Sequence, residues 1–243
     1  MNLFRAFRSE LIKVRHTSFW SVHIGMPVIG ALLFTVYYLL YDSTADEKKL
    51  QMILELTATV FPLLISVIVS LNVASEEKVS LYSPLLGASN RQLLLAAKLT
   101  FLYGAGVLAL FGLFLLFLLS ARLLGIAGAV CPKTLLLAAS EIACSNLIIY
   151  ILHLFLSLKF GLGLSLFCGV FESLQCILYS NIDLTGIARY IPFAWSINRV
   201  KDVLHDRLLA HRAERIVTIL WTIGGLLLLF LWFSRWEGRR NKE

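Results

Sequence analysis

Six apolar stretches, each long enough to cross a bilayer, divide this chain, and polar breaks of very unequal length separate them. A helix needs about 20 apolar residues to cross about 30 Å of hydrocarbon. Hydrocarbon offers backbone N–H and C=O groups no partner, so these stretches must be helices that satisfy their own hydrogen bonds. The expected spans are residues 18–41, 50–73, 92–119, 134–158, 160–180 and 216–233. Only 15% of the residues are charged, against about a quarter in a soluble domain. The sequence therefore reads as one all-α membrane domain covering residues 1–243, with no soluble catalytic domain.

The flanks of the spans set the expected orientation. In residues 1–17, Phe4, Phe7, Leu11 and Val14 recur at helical spacing while Arg5, Arg8, Lys13 and Arg15 occupy the remainder. That is the pattern of an amphipathic helix lying in the cytoplasmic interface. The basic residues before the first span, and Arg235, Arg239, Arg240 and Lys242 after the last, place both termini in the cytoplasm by the positive-inside rule. A signal peptide is set aside because the apolar run is longer than an h-region and lacks a convincing cleavage site. Lys98, near the inner end of the third span, is expected to snorkel to the interface, and Pro27 and Pro62 are expected to kink their spans.

Two segments between spans stand out. Residues 74–91, ASEEKVSLYSPLLGASNR, carry Glu76, Glu77, Lys78 and Arg91, a Ser83-Pro84 break and a Gly87 turn. They are too polar for hydrocarbon and too apolar for a free linker, so they read as a compact cytoplasmic loop that presses against a partner. Residues 181–215 form the longest non-spanning piece, expected outside with short helices. It holds Asp183, Arg189, the aromatic run Tyr190–Trp195, and Ile197, Val200, Leu204 and Leu208 at helical spacing.

Polar residues inside spans are costly and should face the bundle or water. Glu141, Glu172 and Gln175 are candidates either for a substrate path or for bonds between helices, and Trp195 joins them as an interface anchor or a path residue. Asn146 and His153, seven apart, share a helix face and read as satisfied core groups. The net charge of +7 comes from span ends and gives no nucleic-acid footprint. Cys131, Cys144, Cys168 and Cys176 show no metal or disulfide spacing, and no catalytic set emerges. No G-x-x-x-x-G-K-[ST] occurs, so the chain has no phosphate cradle of the usual kind.

An N-terminal SELIKVR, six spans, the stretch ASEEKVSLYSPLLGASNRQLLLAAKL and the segment YIPFAW before the last span resemble the membrane subunit of a type-2 ABC exporter, most closely the lantibiotic-immunity permeases. The resemblance covers essentially the whole chain. It implies that the N-terminal helix and the 74–91 loop contact a separate ATPase, through Glu10, Lys13, Glu76, Glu77, Ser83, Pro84 and Arg91. It further implies two ATPase chains that carry ATP and Mg, a second and homologous permease chain, a location in the bacterial cell membrane, and a membrane-active peptide antibiotic as substrate. On this view ATP-driven closure pushes the second and third spans as a unit against the first and fifth.

Two rivals come from other classes. An intramembrane protease with a Glu-Glu pair needs that pair in the membrane and an Arg after it, whereas Glu76-Glu77 lies in the loop and Leu81 stands at the matching offset. A gradient-driven transporter usually shows paired broken helices and an inverted repeat. Here Pro27 and Pro62 are single breaks and no repeat is visible.

Overall fold

A computed structural model describes residues 2–15, 17–41, 45–125, 130–180, 190–207 and 212–238. The expectations at Asp183, Arg189, Leu208 and the basic tail Arg239–Lys242 lie outside these. Among the described residues all regular structure is helical: α1 (Leu3–Lys13), α2 (Phe19–Leu40), α3 (Asp46–Ser80), α4 (Ser83–Leu86), α5 (Arg91–Leu123), α6 (Pro132–Phe160), α7 (Leu162–Ser180), a 3₁₀ turn (Pro192–Ala194), α8 (Trp195–Leu204) and α9 (Arg212–Ser234). Six of these, α2, α3, α5, α6, α7 and α9, are long and apolar enough to cross a membrane. The chain is a multi-pass membrane protein.

Local chemistry explains several boundaries. The Asn90 side chain caps α5 by accepting from the Leu93 N–H at 3.0 Å, and Pro132 opens α6 at a position where its missing N–H costs nothing. Gly161, at φ +92°, lets α6 reverse into α7 without a linker. Pro27 and Pro62 both lie within continuous helices.

The second apolar run was expected to end near Val73, but α3 continues through Ser80. At about 1.5 Å per residue its 35 residues reach about 50 Å, well beyond the hydrocarbon thickness. Part of the 74–91 stretch is therefore rigid helix rather than loop. It ends where Leu81 and Tyr82 adopt successive left-handed conformations, φ 49° and 62°, which non-glycine residues rarely adopt. Tyr82 is held there by burial against Trp236, ring centroids 5.2 Å apart.

The bundle divides into two halves. In one, α2 packs along α5 and α1 lies across α5; in the other, α3 packs on α7 and α6, with α8 beneath. The second and third spans, α3 and α5, barely touch, and neither do α2 and α3. The second and third spans thus share little direct packing: α2 packs chiefly with α5, and α3 with α7. Where α3 and α7 meet, Gly169 lies so close to Ser66 that a β-carbon would fall 2.3 Å from Ser66 Cβ. Small residues let helix backbones approach in this way, and in lipid that close packing is a main source of helix association.

One end of the bundle gathers α1, the end of α3, α4, the start of α5 and the end of α9. Arg91 donates to the Trp236 carbonyl and lies over the Phe233 ring. At the opposite end, Thr35 and Ser120 share a 2.5 Å hydrogen bond, and midway along α6 Asn146 donates to Ser196 Oγ at 2.6 Å, joining α6 to α8.

Overpacking a close contact costs about 1–3 kcal/mol. Gly169→Ala should lower the thermal unfolding midpoint in detergent, and Ser66→Gly added to it should recover most of the loss. Additive effects in that double-mutant cycle would mean that the two residues do not meet.

Candidate functional site

The α1 end is built around one ammonium. The inner face of α1 places Ala6, Glu10 and Val14, all buried, against α5. The amphipathic face expected from Phe4, Phe7, Leu11 and Val14 is rotated relative to this: Phe4 is 77% exposed, Phe7 and Leu11 are partly buried, and the charged Glu10 points inward. It meets Lys98 on α5, which is fully buried rather than snorkelled. Its Nζ donates to Glu10 Oε2 at 2.8 Å and Asn72 Oδ1 at 2.7 Å and forms an ion pair with Glu76 Oε1 at 3.0 Å. Asn72 and Glu76 are one turn apart on α3 and therefore reach the same point.

Lys13 closes the arrangement, with Nζ 2.5 Å from Glu10 Oε1 and 2.7 Å from Glu76 Oε1. Two carboxylates and two ammoniums cancel, which is how charges become tolerable away from water. Burial pushes the Glu10 carboxyl up, but Lys98 and Lys13 outweigh it and hold its pKa below the ordinary 4.5. Burial likewise opposes the charge on Lys13, yet Glu76 and Glu10 raise its pKa above the ordinary 10.5. Beside the cluster, burial and then the Glu76 charge push the Tyr82 phenol up to about 12.

The seven residues expected at an ATPase contact thus separate. Glu10, Lys13 and Glu76 converge in this cluster, and Glu76 is a buried helical residue instead of a solvated loop one. Arg91 is engaged with Trp236, and Glu77 is half-buried on the last turn of α3. Ser83 and Pro84 are exposed on α4, beside two exposed apolar side chains, Val79 and Leu81. Lys98 and Asn72 were not singled out as site residues. Their signal was present: Lys98 is the lone cation among residues 92–119, and Asn72 shares a helix face with Glu76.

Deeper in the bundle, the separation of α2 from α3 leaves an apolar cleft of about 230 Å³, walled by those helices and floored by Gly106, Ala109 and Leu110 of α5 and by Tyr150 of α6. A more polar cleft of about 220 Å³ adjoins it at the α1 end, lined by Thr17, Ser18, Asn72 and Ser75 among others. None of the four path candidates lines either cleft. Glu141 accepts from Arg215 Nη2 at 2.7 Å, with Arg199 Nε at 4.0 Å. Glu172 Oε2 lies 3.0 Å from His153 Nε2, and His153 Nδ1 lies 3.0 Å from Ser165 Oγ, all three buried between α6 and α7. Gln175 is half-buried on α7, and Trp195 is packed in the core at the start of α8. Glu141 and Glu172 serve contacts between helices. Among the described residues no group of three His, Cys, Asp or Glu side chains is placed to hold a metal. No protein-family model, curated protein or solved structure matches the chain.

Removing one partner of a buried ionic network strands a charge and costs about 3–5 kcal/mol. Lys98→Met should therefore destabilise the protein by about that much, and Glu10→Met in the same chain should recover a large part. Measured stability should also form a plateau in pH. The lowered Glu10 pKa contributes stability that is complete above pH 4.5 and lost as pH falls through its folded value. The raised Lys13 pKa contributes stability that is complete below pH 10.5 and lost as pH rises through its folded value. Glu10→Gln should flatten the acid edge; an unchanged edge would show that the cluster does not control it.

Proposed function

We propose that this chain is the permease subunit of an ATP-driven exporter that expels a membrane-active peptide antibiotic, of the lantibiotic or bacteriocin kind, and so confers immunity or resistance. The observation that carries the reading is the platform at the α1 end. There α3 overhangs the apolar region and finishes in the exposed Val79 and Leu81, next to the exposed Ser83-Pro84 of α4. Exposed apolar side chains on a rigid, charge-braced projection are suited to a protein partner. The partner in this reading is an ATPase, present in two copies and carrying ATP and Mg, because the sequence has no phosphate-binding loop of its own.

The α1 end is then cytoplasmic, with both termini, in a bacterial cell membrane, and the α8 end faces outward. The exposed Arg5 and Arg8 of α1, with Arg15 just after it, meet anionic head groups there as an interfacial helix. A second, homologous permease chain completes the pathway, and neither chain is an enzyme. A force applied at α4 passes through Glu76 to Lys98 and Glu10, so it reaches both halves of the bundle together. A permease for another amphipathic substrate has the same coupling. The buried His153–Glu172 pair favours a second reading, a gradient-driven transporter in which protons move through that pair.

Affinity purification from native membranes separates these readings. The exporter reading expects a Walker-motif ATPase in the eluate, lost when Leu81→Asp and Pro84→Gly are combined and kept in Glu172→Gln. Recovery of the chain alone, with lipid still bound, would falsify that reading. Loss of transport in Glu172→Gln, with no ATPase recovered, would establish the gradient-driven one.

A further inference from the structure

The two clefts between α2 and α3 are one continuous feature, since Val22, His23 and Ile68 line both. The feature is graded. At the α1 end its lining includes the hydroxyls of Thr17, Ser18 and Ser75 and the amide of Asn72. From His23 inward it is apolar apart from His23, Thr57 and Tyr150. Thr57 is already bonded to the Ile53 carbonyl. Among the described residues, no Asp, Glu, Lys or Arg lines either part.

Two polar atoms in its walls have no hydrogen-bond partner, His23 Nε2 and Tyr150 Oη, and both residues are more than nine-tenths buried. The histidine has a defined role. Its Nδ1 lies 2.8 Å from the Phe19 carbonyl, which can only accept, so Nδ1 carries the hydrogen. In the neutral ring Nε2 is then a bare acceptor, buried at the junction between the polar and apolar parts. Leaving such an acceptor unsatisfied is costly. Tyr150 is placed just as deliberately: its hydroxyl sits against Gly106, where a β-carbon would fall 1.7 Å from Oη.

We propose that this cleft binds a single-chain amphiphile with an uncharged, hydroxyl-bearing head. The head lies at the Thr17–Ser75 end and donates to His23 Nε2, helped by the side-chain adjustment common on binding. The chain runs between α2 and α3 toward Tyr150. The two parts, about 220 Å³ for the head and about 230 Å³ for the chain, suit a small head and one alkyl chain rather than a folded peptide. The uncharged lining selects against a phosphate head, whose ionic oxygens would find no cation there. This inference does not depend on the transport reading.

The test uses the full chain in phosphatidylcholine nanodiscs with a monoacylglycerol bearing a photoreactive diazirine in its chain. Labelling should be saturable, should map to cleft residues such as Val60, Leu64 and Ala109, and should fall at least about fivefold with excess unlabelled monoacylglycerol. An alkane of equal length should compete far less. Val60→Trp or Ala109→Phe, each filling the cleft, should abolish saturable labelling, whereas Leu108→Trp on the exposed face of α5 should not. His23→Phe should weaken binding about tenfold, the effect of losing one hydrogen bond to a buried acceptor, and His23→Gln, which keeps an acceptor, should restore it. Labels spread over lipid-facing residues of all spans without competition, or equal competition by the alkane, would overturn the proposal. Both outcomes can be read on the unmodified chain even if a variant does not fold.

Discussion

Lys98 Nζ holds together three helices that apolar packing alone would leave loosely related. Its hydrogen bonds go to α1 through Glu10 and to α3 through Asn72, its ion pair with Glu76 adds a second tie to α3, and its own backbone belongs to α5. Helices in lipid gain little from hydrophobic burial against each other, because lipid tails are as apolar as leucine. An unpaired charge in that setting costs several kcal/mol. Any arrangement that separates these helices by a few ångströms is therefore penalised steeply, and α1 is fixed in position even though Phe4 and Ile12 lie exposed on its outer face.

The cluster adds a tie between α3 and the α1–α5 half, which otherwise meets its neighbour where α5 packs on α6. Between α2 and α3 the bundle is open, and α3 hardly meets α5 within the apolar region. Below the opening, Glu76 reaches from the α3 half to Lys98 and Lys13 of the other. Closure at one end and separation above it leave the cleft open between α2 and α3.

The number, order and approximate limits of the spans were legible because hydrocarbon thickness imposes them directly on the sequence. The helical continuation through Ser80 was not, since polar residues beyond Val73 resemble a loop when hydropathy is the only guide. Local helix chemistry was the better guide there: Glu76, Glu77 and Lys78 are good helix formers with no breaker before the Leu81–Tyr82 turn. Glu10 was misplaced for a related reason. Apolar periodicity assigns a charged residue to the wet face, and only the presence of Lys98 on another helix, 88 positions away, reverses that assignment. Pairing across such separations leaves no periodic trace in one sequence, so Lys98, Asn72 and the cleft emerged only from three-dimensional placement.

The polar groups within the bundle follow one rule, local neutrality. Glu10 and Glu76 balance Lys13 and Lys98 at one end, and Glu141 and Asp202 lie with Arg199 and Arg215 at the other. Each set ties together helices that are distant in the chain: α1, α3 and α5 in the first, α6, α8 and α9 in the second. Leucine- and phenylalanine-rich faces can pack in many registers at nearly equal energy, whereas a buried carboxylate accepts only the register that brings a cation to it. The ionic residues therefore specify which helices are neighbours, and the close approaches at Gly169 and Gly106 then fix how near they come. His23 and Tyr150 depart from this rule. Each is buried with a polar atom unpaired. What distinguishes them from the other unpaired atoms, such as Glu76 Oε2 and Glu172 Oε1, is that both residues line the open cleft between α2 and α3, where a ligand can reach them.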